Sequence, residues 1–297
     1  MSQAAPACGS PEPLVDRRAR RPKTLVDSGA NYLYCYVALL SLGGVVLTVK
    51  NVVKSFGGLI AVNDCSFTIP AGSVTGLIGP NGAGKSTLFN IIAGFIKPDG
   101  GEILIEGQNV TGMSPHRLFH RGIVRTFQIP HEFDRMTVLE NLMIVPPYQI
   151  GELVIASLFA WGRVKRQERI LRKKAEEVLD FVSLSRLKYE LAGNLSGGQK
   201  KLLELARTMM TNPRIVLLDE PGAGVNRTLL QKIGADIKRL NDELGYTFCI
   251  IEHDMDLVTR LCNPVVVMAQ GSVLAEGTME ELRRDERVRE AYLGGRV

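Results

Sequence analysis

The run Val74-Thr75-Gly76-Leu77-Ile78 leads without a break into Gly79-Pro80-Asn81-Gly82-Ala83-Gly84-Lys85-Ser86-Thr87. The second block fits G-x-x-x-x-G-K-[ST], the pattern of a loop that cradles nucleotide phosphates. Few short patterns constrain a fold as tightly, because the loop works only between a buried strand and a helix. The short apolar run supplies the strand, and a helix is expected from Lys85 to Gly94, where Gly94 and then Pro98 mark its end. Gly79, Gly82 and Gly84 allow tight turns and close approach, so that successive N–H groups converge on an anion. The positive end of the helix adds to the attraction. Lys85 is placed to neutralise the β and γ phosphates, and the Ser86 hydroxyl to ligate Mg²⁺. The expected ligand is a nucleoside triphosphate, with Pro80, Asn81, Ala83 and Thr87 completing its cradle.

Two later blocks add chemistry to binding. The apolar strand Ile215–Leu218 ends in Asp219-Glu220. A carboxylate at the first position reaches Mg²⁺, often through water. The next side chain points elsewhere, which suits Glu220 to orient or deprotonate an attacking water. The block Leu195-Ser196-Gly197-Gly198-Gln199 precedes a helix expected from Gly198 to about Met210, with Ser196 as its cap. Its glycines admit an anion close to the backbone. One γ-phosphate does not need two such cradles from one chain, so Ser196, Gly197, Gly198 and Gln199 are expected to act in trans, on a nucleotide held by a facing subunit. A plain helix cap is the alternative. Gln128 stands where the strand-like core gives way to a helical stretch and can touch Mg²⁺ or water. His253 follows the apolar strand Tyr246–Ile251, placed to bond the γ-phosphate and steady Glu220. Phe56, ahead of Gly57-Gly58, can stack on adenine. Structural roles remain open for each of these three.

The rest of the chain sets the frame. Strands are expected at Val45–Lys50, Ser66–Ile69 and Gly101–Gly107, and a hairpin at Val265–Met268 and Val273–Ala275. Between about Met136 and Met210 the pattern is helical, with Ile170, Leu171, Val178, Leu179 and Val182 recurring at helical intervals. Strands, an inserted helical block, then strands again give an α/β core with a mainly parallel sheet and a helical subdomain. Residues 1–44 read as an extension, its Pro-, Ala- and Arg-rich start expected to be disordered. The apolar stretch Tyr32–Leu42 is short for a membrane span, which takes about 20 residues. The net charge of +5 gathers partly in Arg17, Arg18, Arg20, Arg21 and Lys23, so no nucleic-acid surface is read from charge. Five scattered cysteines without C-x-x-C argue against a disulfide framework or a zinc site and fit a reducing compartment.

In this order, the phosphate loop, Gln128, Leu-Ser-Gly-Gly-Gln, Asp219-Glu220 and His253 resemble the ATP-binding subunit of an ABC transporter over residues 45–297. The resemblance implies a P-loop NTPase core with an N-terminal antiparallel β part, a helical subdomain at about 136–210 and a C-terminal tail at about 272–297. It also implies ATP and Mg²⁺ as ligands. Two subunits, identical or different, would dock head to tail around ATP, at the cytoplasmic face of a membrane, on integral permease subunits. Phe56-Gly57-Gly58-Leu59, Arg125-Thr126-Phe127-Gln128, Ile251-Glu252-His253-Asp254-Met255 and Ala291-Tyr292-Leu293-Gly294 narrow the resemblance to ATPases of branched-chain amino acid importers, which also use a solute-binding protein. The ATPases of urea and lipopolysaccharide transport look similar, and soluble ABC ATPases stand further off. The chain departs from the common pattern after Pro221, where Gly222-Ala223-Gly224-Val225-Asn226 replaces Ser-Ala-Leu-Asp.

Overall fold

The computed structural model describes residues 44–126, 132–152 and 160–293. Expectations for the N-terminal extension before Gly44, and for Gln128, lie outside these residues. Strands β1 (Val45–Phe56) and β2 (Leu59–Pro70) form a long antiparallel hairpin. Both outrun their expected lengths. The extra residues form the hairpin tip, where Phe56, Leu59 and Ile60 are exposed, so no alternation of buried and exposed residues marks them as strand. Strand β3 (Val74–Ile78) leaves for a second sheet, while β4 (Gly100–Ile105) and β5 (Gln108–Asn109) return to the first, whose order is β2-β1-β4-β5.

The second sheet adds β6 (Ile123–Arg125), β7 (Ile215–Asp219), β8 (Phe248–Ile251), β9 (Val265–Ala269) and β10 (Ser272–Gly277), in the order β10-β9-β3-β8-β7-β6. All its pairings are parallel except the β9–β10 hairpin. Its central strands are buried on both faces, as parallel strands covered on each side must be. Alternate residues feed two cores. Val216, Leu218, Phe248, Ile250, Val265 and Val267 face one. Ile215, Leu217, Cys249, Ile251, Val266 and Met268 face the other, which also takes in β1, β2 and α1 (Lys85–Ile92).

After the short α2 (Pro115–His120), the helical block comprises α3 (Val138–Met143), α4 (Trp161–Phe181) and α5 (Gly197–Met209). The apolar face of α4 is buried at Val164 near its start and then mainly in its C-terminal half. Ala175, Val178 and Leu179 are covered, whereas Ile170 is 53% exposed. At about 1.5 Å rise per residue the helix is roughly 31 Å long, and the much shorter α3 covers little of it. Among the described residues the remaining α-helices are α6 (Arg227–Leu244), α7 (Met255–Leu261), α8 (Met279–Arg284) and α9 (Glu286–Leu293). No helix among the described residues is long and apolar enough to cross a membrane.

Candidate functional site

Parallel register builds the site. Leu77 of β3 and Asp219 of β7 both pair with Ile251 of β8, so the three strands end abreast. Whatever follows each strand by one or two residues therefore gathers at one edge. These residues are Gly79 and its loop, Glu220, and Glu252-His253. The carboxyl edge of a parallel sheet is where such folds bind ligands.

The loop residues carry the geometry of a phosphate cradle. Gly79, Gly82 and Gly84 have φ of 153°, 80° and 93°. A Cβ at Gly79 would strike the Met268 carbonyl at 2.1 Å, and one at Gly84 the Ala61 carbonyl at 2.3 Å. Around Gly82 a Cβ would meet nothing within 4 Å, so the middle of the loop is open. No side chain caps α1, whose first-turn N–H groups are left for an external acceptor. Lys85 is buried, and its Nζ donates to the carbonyls of Gly79 at 2.8 Å and Pro80 at 2.9 Å. Burial lowers its pKa, and the charges of Glu220 and Asp219 pull it back up. These features fit a triphosphate. Ser86 lies exposed in the first turn of α1.

Asp219 is buried, and Arg125 Nη2 donates to its Oδ2 at 2.8 Å. Arg125 Nη1 donates to Asn90 of α1 at 2.6 Å, so one guanidinium joins β6, β7 and the loop helix. Glu220 follows in a left-handed conformation, φ 49°, with its N–H donating to Ile251 O at 3.0 Å. The His253 Nε2 lies 2.9 Å from Glu220 Oε1. Against a carboxylate that nitrogen carries the proton. The structure thus brings together the phosphate loop, Asp219, Glu220 and His253.

Ser196–Gln199 stands apart from this cluster, at the start of α5. Ser196 Oγ accepts from the Gln199 N–H and Gln199 Oε1 accepts from the Ser196 N–H, a reciprocal capping box. Gly198 sits so close to α6 that a Cβ would lie 1.8 Å from Leu229 Cδ2. Phe56 is 48% exposed at the tip of the β1–β2 hairpin, with the Lys54 ammonium 5.5 Å from its ring centre.

Sequence reasoning assigned no role to Arg125, Asn90 or Glu252. Glu252 is 4% exposed, and both its carboxylate oxygens accept backbone N–H bonds. The available signal was its place directly after an all-apolar strand, the same signal that marked Asp219. Tyr292 of α9 was quoted without a role. Burial pushes its phenol up to about 12, while the neighbouring Gly79 backbone N–H draws it back.

A second concavity, an open groove of about 370 Å³, lies between the core and the helical block. Phe95, Phe119, Val145, Glu204 and Arg207 are among its lining residues, and Thr126, two residues before Gln128, forms part of its wall.

Residues 62–223 match the family model described as ABC transporter, and residues 272–297 match that described as branched-chain amino acid ATP-binding cassette transporter. A protein of Archaeoglobus fulgidus, "Probable branched-chain amino acid transport ATP-binding protein LivG", is 42% identical over 84% of this chain and 95% of its own length. The "High-affinity branched-chain amino acid transport ATP-binding protein BraF" of Pseudomonas aeruginosa is 41% identical over 84% of this chain and 98% of its own. Among solved structures, the ADP conformation of MJ1267, an ATP-binding cassette of an ABC transporter, superposes with a TM-score of 0.71 at 42% identity, over 84% of this chain and 99% of its own.

Proposed function

Since this chain belongs to the ATP-binding cassettes of ABC transporters, we propose that it is the ATPase subunit of an importer for branched-chain or other hydrophobic amino acids. The observation that carries the ATPase reading is the convergence of three strand ends on one edge, where the phosphate loop, Asp219, Glu220 and His253 meet. The tail match at residues 272–297 and the names of the relatives support the choice of solute.

The N–H groups of the loop and of the α1 N-terminus hold the ATP phosphates, and Lys85 turns from its loop carbonyls to the β and γ oxygens. Phe56 offers its exposed ring to the adenine. Ser86, Asp219 and Gln128 are the residues assigned to Mg²⁺, which when bound neutralises charge on the phosphates. Arg125 fixes one oxygen of Asp219, so the carboxylate is oriented before any ion arrives. Glu220 orients the water and accepts its proton. The water oxygen bonds to the γ-phosphorus, the bond to the bridging oxygen breaks, and ADP and phosphate result. His253 holds Glu220 in place through its Nε2–H, and that single donor turns from Glu220 to the γ-phosphate when the nucleotide is in reach.

The Ser196–Gln199 segment is assigned to the nucleotide of a facing subunit, identical or different, because its helix tip lies on the helical block rather than at its own phosphate loop. The helical block, about 136–210, and the groove beside Thr126 suit a short helix of an integral permease subunit, with a largely apolar lining that includes Glu204 and Arg207. The chain then sits peripherally at the cytoplasmic face of the membrane, and a solute-binding protein on the other side reaches it only through the permease. The test is uptake by the complex of this chain with its permease and solute-binding protein in sealed vesicles supplied with MgATP. ATP-dependent accumulation of leucine, isoleucine or valine is expected. Uptake of urea instead, or of no amino acid, overturns the solute assignment.

A further inference from the structure

Glu252 is a carboxylate buried to 4% exposure at the end of β8, a position where an unpartnered charge is costly. Its partners are backbone donors from two different loops. Oε1 accepts from the Gly222 N–H at 2.7 Å. Oε2 accepts from the His253 N–H at 2.8 Å and the Asp254 N–H at 3.3 Å. Gly222 lies two residues beyond Glu220, and His253 is the residue whose imidazole meets Glu220. The approach at Gly222 is so close that a Cβ there would lie 2.6 Å from Glu252 Oε1. Gly222 has no left-handed φ, so what excludes a side chain is this carboxylate and the neighbouring Leu230.

Both loops are also held from their far sides. Asn226 caps α6, its Oδ1 accepting from Leu229 at 2.9 Å, and Leu229 packs on Gly198 at the tip of α5. Asp254 caps α7, its Oδ1 accepting from Leu257 at 2.8 Å. Glu252 is thus a direct link, beside the His253–Glu220 contact and the Arg227–Asp256 ion pair, between the segment that follows Glu220 toward the α5 tip and the turn that carries His253.

We propose that Glu252 is a positioning residue for hydrolysis: by clamping Gly222 and His253 with one carboxylate, it sets the contact between His253 and Glu220 and ties it to the position of the loop 221–226. The clamp rests on the reading of Glu220 and His253 as the hydrolytic pair. Charge-assisted bonds of this kind are about twice as strong as neutral ones, so the clamp is stiffer than an ordinary turn. It also explains why the segment after Pro221 begins with glycine in this chain: the carboxylate occupies the space of any side chain.

The clamp is tested by Glu252→Gln and Gly222→Ala in the complex with the permease, with MgATP affinity and turnover measured separately. A glutamine keeps the shape but turns an NH₂ donor toward one of the N–H donors, releasing one loop. Alanine at 222 pushes on the clamp from the other side. Each variant is expected to keep MgATP affinity within about twofold, because the phosphate loop is untouched, and to lose about 10- to 100-fold in kcat, the cost of about an ångström of misplacement. The double variant Gly222→Ala with Glu252→Ala is expected to be no slower than Glu252→Ala alone, because the methyl group enters the space the carboxylate leaves and Leu230 Cδ1, the end of a flexible side chain, gives way. A merely structural role would lower affinity and thermal stability together. Glu220→Gln in the same assay separates the failures. If it is inactive while Glu252→Gln and Gly222→Ala both turn over like the parent, the clamp is overturned and the hydrolytic pair stands. If Glu220→Gln itself turns over, the pair falls and the clamp with it. Should Glu252→Gln fail to bind ATP, the Gly222→Ala result decides alone.

Discussion

Glu220 adopts φ 49° immediately after a strand whose five residues are all buried. A left-handed non-glycine residue costs on the order of 1–3 kcal/mol, and here the bond from its N–H to Ile251 O holds it. The conformation turns its carboxylate away from the path of β7 and toward His253. Replacing Glu220 by Gln keeps the backbone and the shape but removes the proposed base. Turnover is expected to fall by about 10²–10⁴. ATP affinity is expected to stay, since Lys85 and the loop are unchanged. Phosphate release and nucleotide binding, measured side by side, check this; parallel loss of both would mean that Glu220 serves binding rather than hydrolysis. At this scale the sequence named the candidate residues and the His253–Glu220 pairing, but not the partners that hold them. The strand-end rule pointed to Asp219, Glu220 and His253. Nothing in it showed that Arg125, 94 positions earlier, would be bonded to Asp219.

At the scale of elements, α5 carries the Ser196 tip at one end, and its other end leans on α4. Lys174 of α4 donates to Met210 O at 3.2 Å and Asn212 Oδ1 at 2.8 Å, just past the α5 C-terminus. A cation suits that end of a helix, yet burial brings the amine down to about 8 from 10.5. Below pH about 8 both folded and unfolded chains hold the proton, and the folded one bears the cost of burying it. Between about 8 and 10.5 the folded amine is neutral while the unfolded one is still charged, so the unfolded state binds more protons and stability rises with pH. Relative to Lys174→Met, the parent is expected to gain stability between pH 7 and pH 9.5. Urea midpoints at the two pH values test it, and a constant difference would refute it. The cap at Ser196 was readable from the sequence, because caps are local; its reciprocal partner Gln199 came with the structure. The half-exposed α4 was not, because its neighbours set its burial.

At the scale of the molecule, the phosphate loop and the Ser196 tip proposed to act on a facing nucleotide lie on different parts of one chain. The phosphate loop ends a central strand, and the Ser196 tip belongs to the helical block, packed by Gly198 on Leu229. If each nucleotide needs both, turnover needs two chains. Specific ATPase activity of the purified subunit is then expected to rise with protein concentration and level off once pairs predominate. Adding an excess of Glu220→Gln chains, where pairs form freely, should depress parental turnover by forming mixed pairs. A rate per chain that is independent of concentration, alongside a monomer by light scattering with ATP present, would rule out the paired site.

The sequence by itself determined the local units. The strand–loop–helix around Lys85, the all-buried strands β7 and β8, the capped start of α5 and the two-carboxylate end of β7 each follow from residues adjacent in the chain, whose steric and hydrogen-bonding preferences act over a few positions. Only the tertiary structure decided how these units meet. The order β10-β9-β3-β8-β7-β6 and the register of β3, β8 and β7 put three strand ends abreast, which sets His253 on Glu220 as the sequence led one to expect and, beyond anything the sequence showed, Arg125 on Asp219 and Glu252 between Gly222 and His253. The physical reason is that strand pairing is set by how both faces of the sheet are buried against distant segments, so contacts across the sheet edge depend on every strand at once.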